Sequence, residues 1–287
     1  MKNKLLLLGG SGQLGTQIQA RWGDWQIDAP SHSSLDLENS EALAAAVAAS
    51  APTFVLNCAA FHNVDRCEDE PGRAFALNAI AVDRIASICA AAKTHFITIS
   101  TDYVFEGSAK TPYLEDGIPR PINTYGVSKF AGELLALRHG GAALVVRTCG
   151  LYGLMPSSVK GYTFIDRILT QARSGEKLRV VDDVVASPSY AADVADGLLA
   201  AAHARMTGTL HLANQGPVSW YEFATTVLSC AGVSGEIAAV KASDWKTKAR
   251  RPAFSALGSS RSVEMNFSMP SWREGIENYL KAKAVLP

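Results

Sequence analysis

An apolar run at the start of the chain, Lys4-Leu5-Leu6-Leu7-Leu8, feeds directly into Gly9-Gly10-Ser11-Gly12-Gln13-Leu14-Gly15. Few folds accept that succession. It reads as a buried strand, a glycine turn and a helix from Gln13 to about Arg21, with G-x-G-x-x-G through Gly10, Gly12 and Gly15 and G-x-x-G-x-x-G through Gly9, Gly12 and Gly15. Both registers obey the same physics. Absent side chains let the backbone approach a pyrophosphate, and the free N–H groups and dipole of the following helix favour the anion. An isolated glycine triplet is an ordinary turn as often as not. The strand before it and the amphipathic segment after it favour a nucleotide site.

The rest of the first half keeps that cadence. Strand-length apolar runs at Trp25–Ala29, Thr53–Asn57, His95–Ser100 and Ala143–Arg147 alternate with helical patterns at Glu38–Ser50, Arg73–Lys93 and Tyr125–Leu137. Asn39-Ser40 and Pro71-Gly72 supply start signals. Such alternation predicts a parallel sheet with crossover helices. After about residue 148 the elements shorten and Ser, Pro and Gly increase, with helices still predicted at Phe164–Arg173, Ala191–Ala204 and Trp220–Ala231. The expected fold is α/β: a Rossmann-like, doubly wound parallel sheet with a smaller C-terminal substrate-binding lobe. Residues 1–150 would form the dinucleotide domain and 151–287 mainly the lobe, with some segments returning to the sheet.

Charge narrows the partners. With 27 basic and 27 acidic residues the net charge is zero, so no basic field asks for nucleic acid and no polybasic run asks for a membrane. The five cysteines, Cys58, Cys67, Cys89, Cys149 and Cys230, are odd in number and contain no C-x-x-C. A reducing cytoplasm is the expected setting. The leucine run is too short for a signal core or a span, so the start is read as mature fold.

Tyr125-Gly126-Val127-Ser128-Lys129 places a phenol and an ammonium four residues apart, on one face of a helix. A phenol titrates near ~10, and a neighbouring lysine cation is expected to pull it toward the working range, where it can exchange a proton with a carbonyl. Alone, Y-x-x-x-K is more often a solvated helix face. Its position downstream of the glycine turn makes the catalytic reading the stronger one.

Taken in order, the glycine turn, Leu35-Asp36-Leu37, Asn57-Cys58-Ala59-Ala60, Val64-Asp65 with Glu68 and Pro71, Ser100-Thr101-Asp102-Tyr103-Val104-Phe105, Tyr125–Lys129, Arg147-Thr148 and Arg251-Pro252 resemble the extended short-chain dehydrogenase/reductase family, within it the branch of dTDP-4-dehydrorhamnose reductases. The resemblance runs nearly end to end. It implies NAD(P)H-dependent reduction of the 4-keto group of a nucleotide-linked deoxysugar, with Thr101, Tyr125 and Lys129 as the catalytic triad. Tyr125 would give the carbonyl oxygen its proton, Thr101 would hydrogen-bond that oxygen, and Lys129 would tune the phenol and hold the nicotinamide ribose. Asp102, Tyr103 and Arg251 would meet the substrate. Gly9, Gly12, Gln13, Leu14, Gly15, Cys58, Ala59, Ala60 and Asn78 would line the cofactor, together with Tyr125 and Lys129. A homodimer is a further implication.

Asp36 lies 21 residues past Gly15, near the distance expected of a ribose-binding acid, yet the resemblance gives Asp36-Leu37 to the adenine ring. The position that would be acidic in an NADH enzyme is Ser31 or His32, which favours NADPH over NADH. Three departures touch the pattern. Gly150 stands where relatives carry a tryptophan against the sugar, Asp182–Ser189 only approximates a family segment, and Gln17 replaces a glutamate that helps some relatives bind magnesium at a dimer interface. No metal site is therefore expected. His62, His95, His139, His203 and His211 show no ligand spacing, and Ser187 and Ser219 lack a nucleophile elbow. Lys246, Lys248, Arg250 and Arg251 form either a solvated loop or a clamp for two phosphates. The competing functions are a non-catalytic regulatory subunit of the methionine adenosyltransferase type, which has the same fold, and reduction of a different nucleotide sugar, to which the altered pocket at Gly150 points.

Overall fold

The computed structural model describes residues 3–155 and 161–284. Six parallel strands form one sheet in the order β2-β1-β3-β4-β5-β8: β1 (Lys4–Leu8), β2 (Gln26–Asp28), β3 (Phe54–Asn57), β4 (His95–Thr101), β5 (Ala143–Thr148) and β8 (Gly208–His211). The leucine run shows why the sheet is covered on both sides. Leu5 and Leu7 enter one core with Ile18, Trp22, Ile97 and Leu198, while Leu6 and Leu8 enter the other with Leu43, Val55, Ile85 and Phe96. A period of two sends successive side chains to opposite faces, and a strand buried on both faces must be apolar throughout.

Crossover helices supply the two covers. α1 (Gln13–Arg21) packs with α8 (Ala191–His203) on one face, where Trp22 Nε1 donates to Ala195 O at 3.0 Å. α2 (Ser40–Ser50), α5 (Ala81–Ala91) and α6 (Thr124–Leu137) cover the other. The predicted helix Arg73–Lys93 starts earlier, as α4 (Pro71–Phe75), and runs through a π turn at Ala76–Ile80 into α5. Length and composition alone would let Pro71–Ala91 cross a membrane, but it packs along α6 and β4. The predicted strand Trp25–Ala29 shortens to Gln26–Asp28, because Trp25 turns into the core against Trp22 and Phe54.

The chain runs from β1 outward to β2, then crosses back to β3 and on toward β8. That reversal opens a crevice above the carboxyl ends of β1 and β3. Gly9 and Ala59 meet there: a Cβ on Gly9 would lie 2.7 Å from Ala59 N. β8 and α8 lie after residue 148 yet join the sheet layer. Around a separate core of Ile165, Leu169, Phe223, Val227, Ile276 and Tyr279 gather α7 (Phe164–Arg173), β6 (Leu178–Val181), α9 (Trp220–Cys230), β10 (Ile237–Val240) and α10 (Trp272–Ala282). A short ribbon of β7 (Val185–Ala186) and β9 (Val218–Ser219) leads into α9. α3 (Val64–Asp69), α10, β6, β7, β8, β9 and β10 lie outside the predicted elements; all but α10 are six residues or shorter.

Candidate active site

The glycine turn is built for backbone approach. Gly9 has φ +78°, Gly12 N donates to Gly9 O at 3.1 Å, and a Cβ on Gly15 would lie 2.6 Å from Gly10 Cα. Only missing side chains let helix and turn pack so closely. The N-cap residue of α1, Gly12, has no side chain to satisfy the first-turn amides, so those N–H groups are left for an anion. Gln13 Nε2 reaches across to Met155 O at 3.1 Å and Leu14 is buried beneath. A dinucleotide's diphosphate fits this cradle.

The ends of β2 and β3 flank it. Ser31 Oγ lies 2.8 Å from Ser33 Oγ and 3.1 Å from Ser34 Oγ in an exposed turn that also carries His32. Asp36 accepts from Glu38 N at 3.0 Å, and Leu37 is buried. Past β3, Cys58, Ala59 and Ala60 are half-buried, and burial pushes the Cys58 thiol up. Asn78 is 1% exposed, its amide spent on Phe61 N (2.8 Å), Phe61 O (3.0 Å) and Ser128 Oγ (3.0 Å). Its side chain therefore ties the loop after β3 to α6.

α6 begins where Asn123 accepts from Gly126 N at 2.7 Å, a cap that lies two residues before the expected start. Residues four apart share a face, so Tyr125, Lys129 and also Glu133 form one stripe against β4. Gly126 permits this seating, since a Cβ there would lie 3.0 Å from the Tyr103 carbonyl carbon. Lys129 is 4% exposed and donates to Ile99 O at 2.7 Å. Burial pulls its ammonium down to about 8, with Glu133 and Cys58 opposing. Thr101, the last residue of β4, donates to Asp102 Oδ1 at 3.0 Å and accepts from Tyr103 N at 3.2 Å.

The expectation that Lys129 pulls the phenol toward neutrality is corrected here. Burial pushes Tyr125 well above its ordinary range, and the facing Thr101 hydroxyl only partly opposes it. Removing solvent from a phenolate costs more than its neighbours return. The phenol accordingly holds its proton at neutral pH. Tyr103 is raised too, by burial and then by Asp102, and its ring meets Tyr125 edge-on at 6.0 Å. Asp102 is 4% exposed and raised by burial, with Ser255, Cys149 and Thr101 bonding its carboxyl.

Two cations of the basic loop are paired. Arg251 Nη2 lies 2.9 Å from Asp65 Oδ2, and Lys248 Nζ lies 2.6 Å from Asp69 Oδ1, so the loop is strapped to α3. Asn123 Nδ2 donates to Arg250 O at 2.8 Å, tying the strap to the start of α6. Gly150 has φ +52°, and a Cβ there would lie 3.2 Å from the Trp220 indole, which already fills that space. Among the described residues no three His, Cys, Asp or Glu side chains gather as a metal requires. His95 and His211 are core residues: His95 Nε2 meets Met206 O at 2.9 Å, and His211 Nδ1 meets Gly258 O at 2.9 Å.

Sequence reasoning missed Glu133 and its partners. Arg147 donates to it through Nη2 at 2.7 Å and Nε at 3.0 Å, and Ser100 Oγ donates to the same carboxylate. The available signal was the four-residue spacing continued once beyond Lys129.

Residues 3–285 match the protein family described as "RmlD substrate binding domain". The spore coat polysaccharide biosynthesis protein SpsK of Bacillus subtilis is 31% identical, the alignment covering 98% of each chain. The dTDP-4-dehydrorhamnose reductase of Mycolicibacterium smegmatis is 33% identical over 98% of this chain and 86% of its own. Among solved structures, the dTDP-4-dehydrorhamnose reductase of Bacillus anthracis in complex with NADP superposes with a TM-score of 0.93 at 32% identity, covering 98% of this chain and 100% of that one.

Proposed function

Because the chain belongs to the RmlD substrate binding domain family, we propose that it reduces the 4-keto group of a nucleotide-linked deoxysugar of the dTDP-4-dehydrorhamnose type, using NADPH. The observation that carries this reading is the placement of half-buried Tyr125 and buried Lys129 on one helix stripe beside Thr101. When bound, NADPH supplies the hydride.

This chain's own groups do the rest. The first-turn amides at Gln13, Leu14 and Gly15 would bind the diphosphate, with Gly9 and Gly12 clearing the way. Ser31 and His32, which present hydroxyl and imidazole instead of a carboxylate, would accept a 2′-phosphate. Asp36, Leu37, Cys58, Ala59 and Ala60 would border the adenine and its ribose. Lys129 spends one N–H on Ile99 O and has others to direct at the nicotinamide ribose.

Tyr125 enters the reaction protonated, as donation to a developing alkoxide requires. Its proton would pass from the phenol oxygen to the sugar oxygen, neutralising the negative charge that reduction of the carbon places there. The phenolate left behind faces the Thr101 hydroxyl, and the Lys129 cation lies one helical turn away. Asp102 keeps Thr101 oriented and Tyr103 walls the site. Arg251 would reach the substrate diphosphate from the strap held by Asp65. A homodimer is supported by Val127 and Leu134, 40% and 57% exposed on the outer face of α6; the cytoplasm suits five free cysteines.

The test is disappearance of NADPH absorbance with a dTDP-4-keto-6-deoxysugar. Turnover by the wild type that Tyr125→Phe abolishes supports the proposal; absence of turnover with purified wild type and this substrate refutes it.

A further inference from the structure

Glutamate and arginine are almost never fully buried unless paired, and Glu133 and Arg147 are 3% and 4% exposed. Their geometry is close to ideal. Arg147 Nη2 and Nε approach the carboxylate side-on at 2.7 and 3.0 Å, and Ser100 of β4 donates a third bond. Nη1 lies 3.3 Å from His211 Nε2, whose ring is fixed by Nδ1–H facing Tyr113 O and Gly258 O at 3.1 and 2.9 Å. The guanidinium also lies over the Phe105 ring at 5.2 Å, one residue past the 3₁₀ turn Asp102–Val104 that Thr101 starts. One cation therefore ties α6, β5, β8 and the turn beside Thr101 together.

Stability is a poor reason for such a pair. A buried ion pair roughly breaks even against apolar side chains of similar volume. The stripe gives another reason. Lys129 lies one turn after Tyr125 on α6 and faces Glu133 one turn further on, Cys58 from the loop after β3, and the Ile99 carbonyl from β4. Glu133 is the carboxylate in that set, and Arg147 stands behind it.

We propose that Glu133 is a positioning residue for the proton-transfer pair: anchored by Arg147 and Ser100, its negative charge keeps the buried Lys129 charged and the stripe in register with Thr101. Burial alone drives a lysine toward its neutral form, and the opposing carboxylate resists this. Glu133→Gln removes that charge and exposes Lys129 to the uncompensated Arg147 cation, so both changes lower the lysine in the same direction. Removing Arg147 as well takes away the second of them.

This inference rests on the reductase reading only for its consequence, and the test separates the two. The ionisation of Lys129 is followed in cofactor-free protein by NMR of 13Cε-lysine, assigned with Lys129→Met. The expected midpoint is near about 8 in the wild type. It should fall by at least ~1 pH unit in Glu133→Gln, lie between the two in Glu133→Gln/Arg147→Met, and stay near wild type in Glu133→Asp. NADPH affinity against pH should lose its alkaline limb in the same order. If Glu133→Gln does not fold, Glu133→Leu/Arg147→Met carries the test, because it replaces the pair with apolar volume; its midpoint should also fall. Lys129 midpoints within ~0.3 unit across the folded variants overturn the inference, since a packing role moves stability and not the titration. Wild type that titrates as expected but turns over no nucleotide sugar sinks the reductase reading instead.

Discussion

Gly126→Ala tests whether the placement of the phenol depends on a close approach between α6 and the turn after Thr101. The new Cβ would lie 3.0 Å from the Tyr103 carbonyl carbon and 3.0 Å from Pro121 Cβ, and closer still to the Tyr103 oxygen. An ordinary carbon–oxygen approach is about 3.3 Å or more, so helix and turn must separate on the order of 1 Å. Overpacking of this kind costs about 1–3 kcal/mol, offset by about 1 kcal/mol because alanine is the better helix former. At about 2–4 °C per kcal/mol, Tm should fall by no more than about 8 °C. Activity should suffer more. A 1 Å misplacement of reacting groups costs about 100-fold, and the shift acts on Tyr125 against Thr101. The assay pairs thermal unfolding with NADPH consumption and NADPH affinity. Gly72→Ala is the control: its Cβ would meet nothing within 4 Å, so stability should hold or rise by up to about 1 kcal/mol. A Gly126→Ala protein with kcat within about threefold of wild type refutes the reasoning. So does a loss confined to NADPH affinity, which would assign the glycine to the groove.

Tyr125→Phe should lower kcat by about 10²–10⁴-fold while NADPH affinity, read by fluorescence, stays within about threefold. Lys129→Met should inactivate yet stabilise. The folded lysine releases its proton near about 8, below the unfolded value near ~10.4, so stability of the wild type rises with pH between the two. Below about 8 the full burial cost is present. Methionine should therefore gain on the order of 1–3 kcal/mol at pH 7, an advantage that shrinks toward pH ~10.4 in denaturant titrations. Ser31→Asp should weaken NADPH at least about tenfold and leave NADH nearly unchanged, because a carboxylate repels a 2′-phosphate; equal weakening of both would remove Ser31 from the phosphate site.

The elements that the pattern revealed best are those whose burial is decided by local periodicity. Phe164–Arg173 and Gln13–Arg21 appear with the predicted bounds, the first because Ile165, Ile168, Leu169 and Ala172 make a clean apolar stripe, the second because the glycine turn fixes where it starts. β2 shrank because Trp25, a strand former by propensity, is claimed by the contacts of Trp22 and Phe54. α10 was legible in the same way as Phe164–Arg173: Trp272, Ile276, Tyr279 and Leu280 fall at i, i+4, i+7 and i+8 behind a Ser271/Glu274 capping box, with Arg273, Glu274, Glu277 and Lys281 on the opposite face. In the site, the face shared by Tyr125 and Lys129 was legible from spacing. The protonation of the phenol was not, because it follows from desolvation beside Thr101, Asp102 and Tyr103, which the end of β4 brings to Tyr125. Nor was the role of Asn78, whose partner Ser128 is 50 residues away.

Short-range order alone determined the strand, glycine turn and helix, the alternation that makes a parallel sheet, and the four-residue stripe on α6, because steric limits and periodicity act within a few residues. Tertiary structure alone decided which charges were to be buried together, that Trp220 fills the space beside Gly150, and that Arg251 is held by Asp65. Those outcomes depend on desolvation and on contacts between segments up to 186 residues apart, which no local pattern encodes.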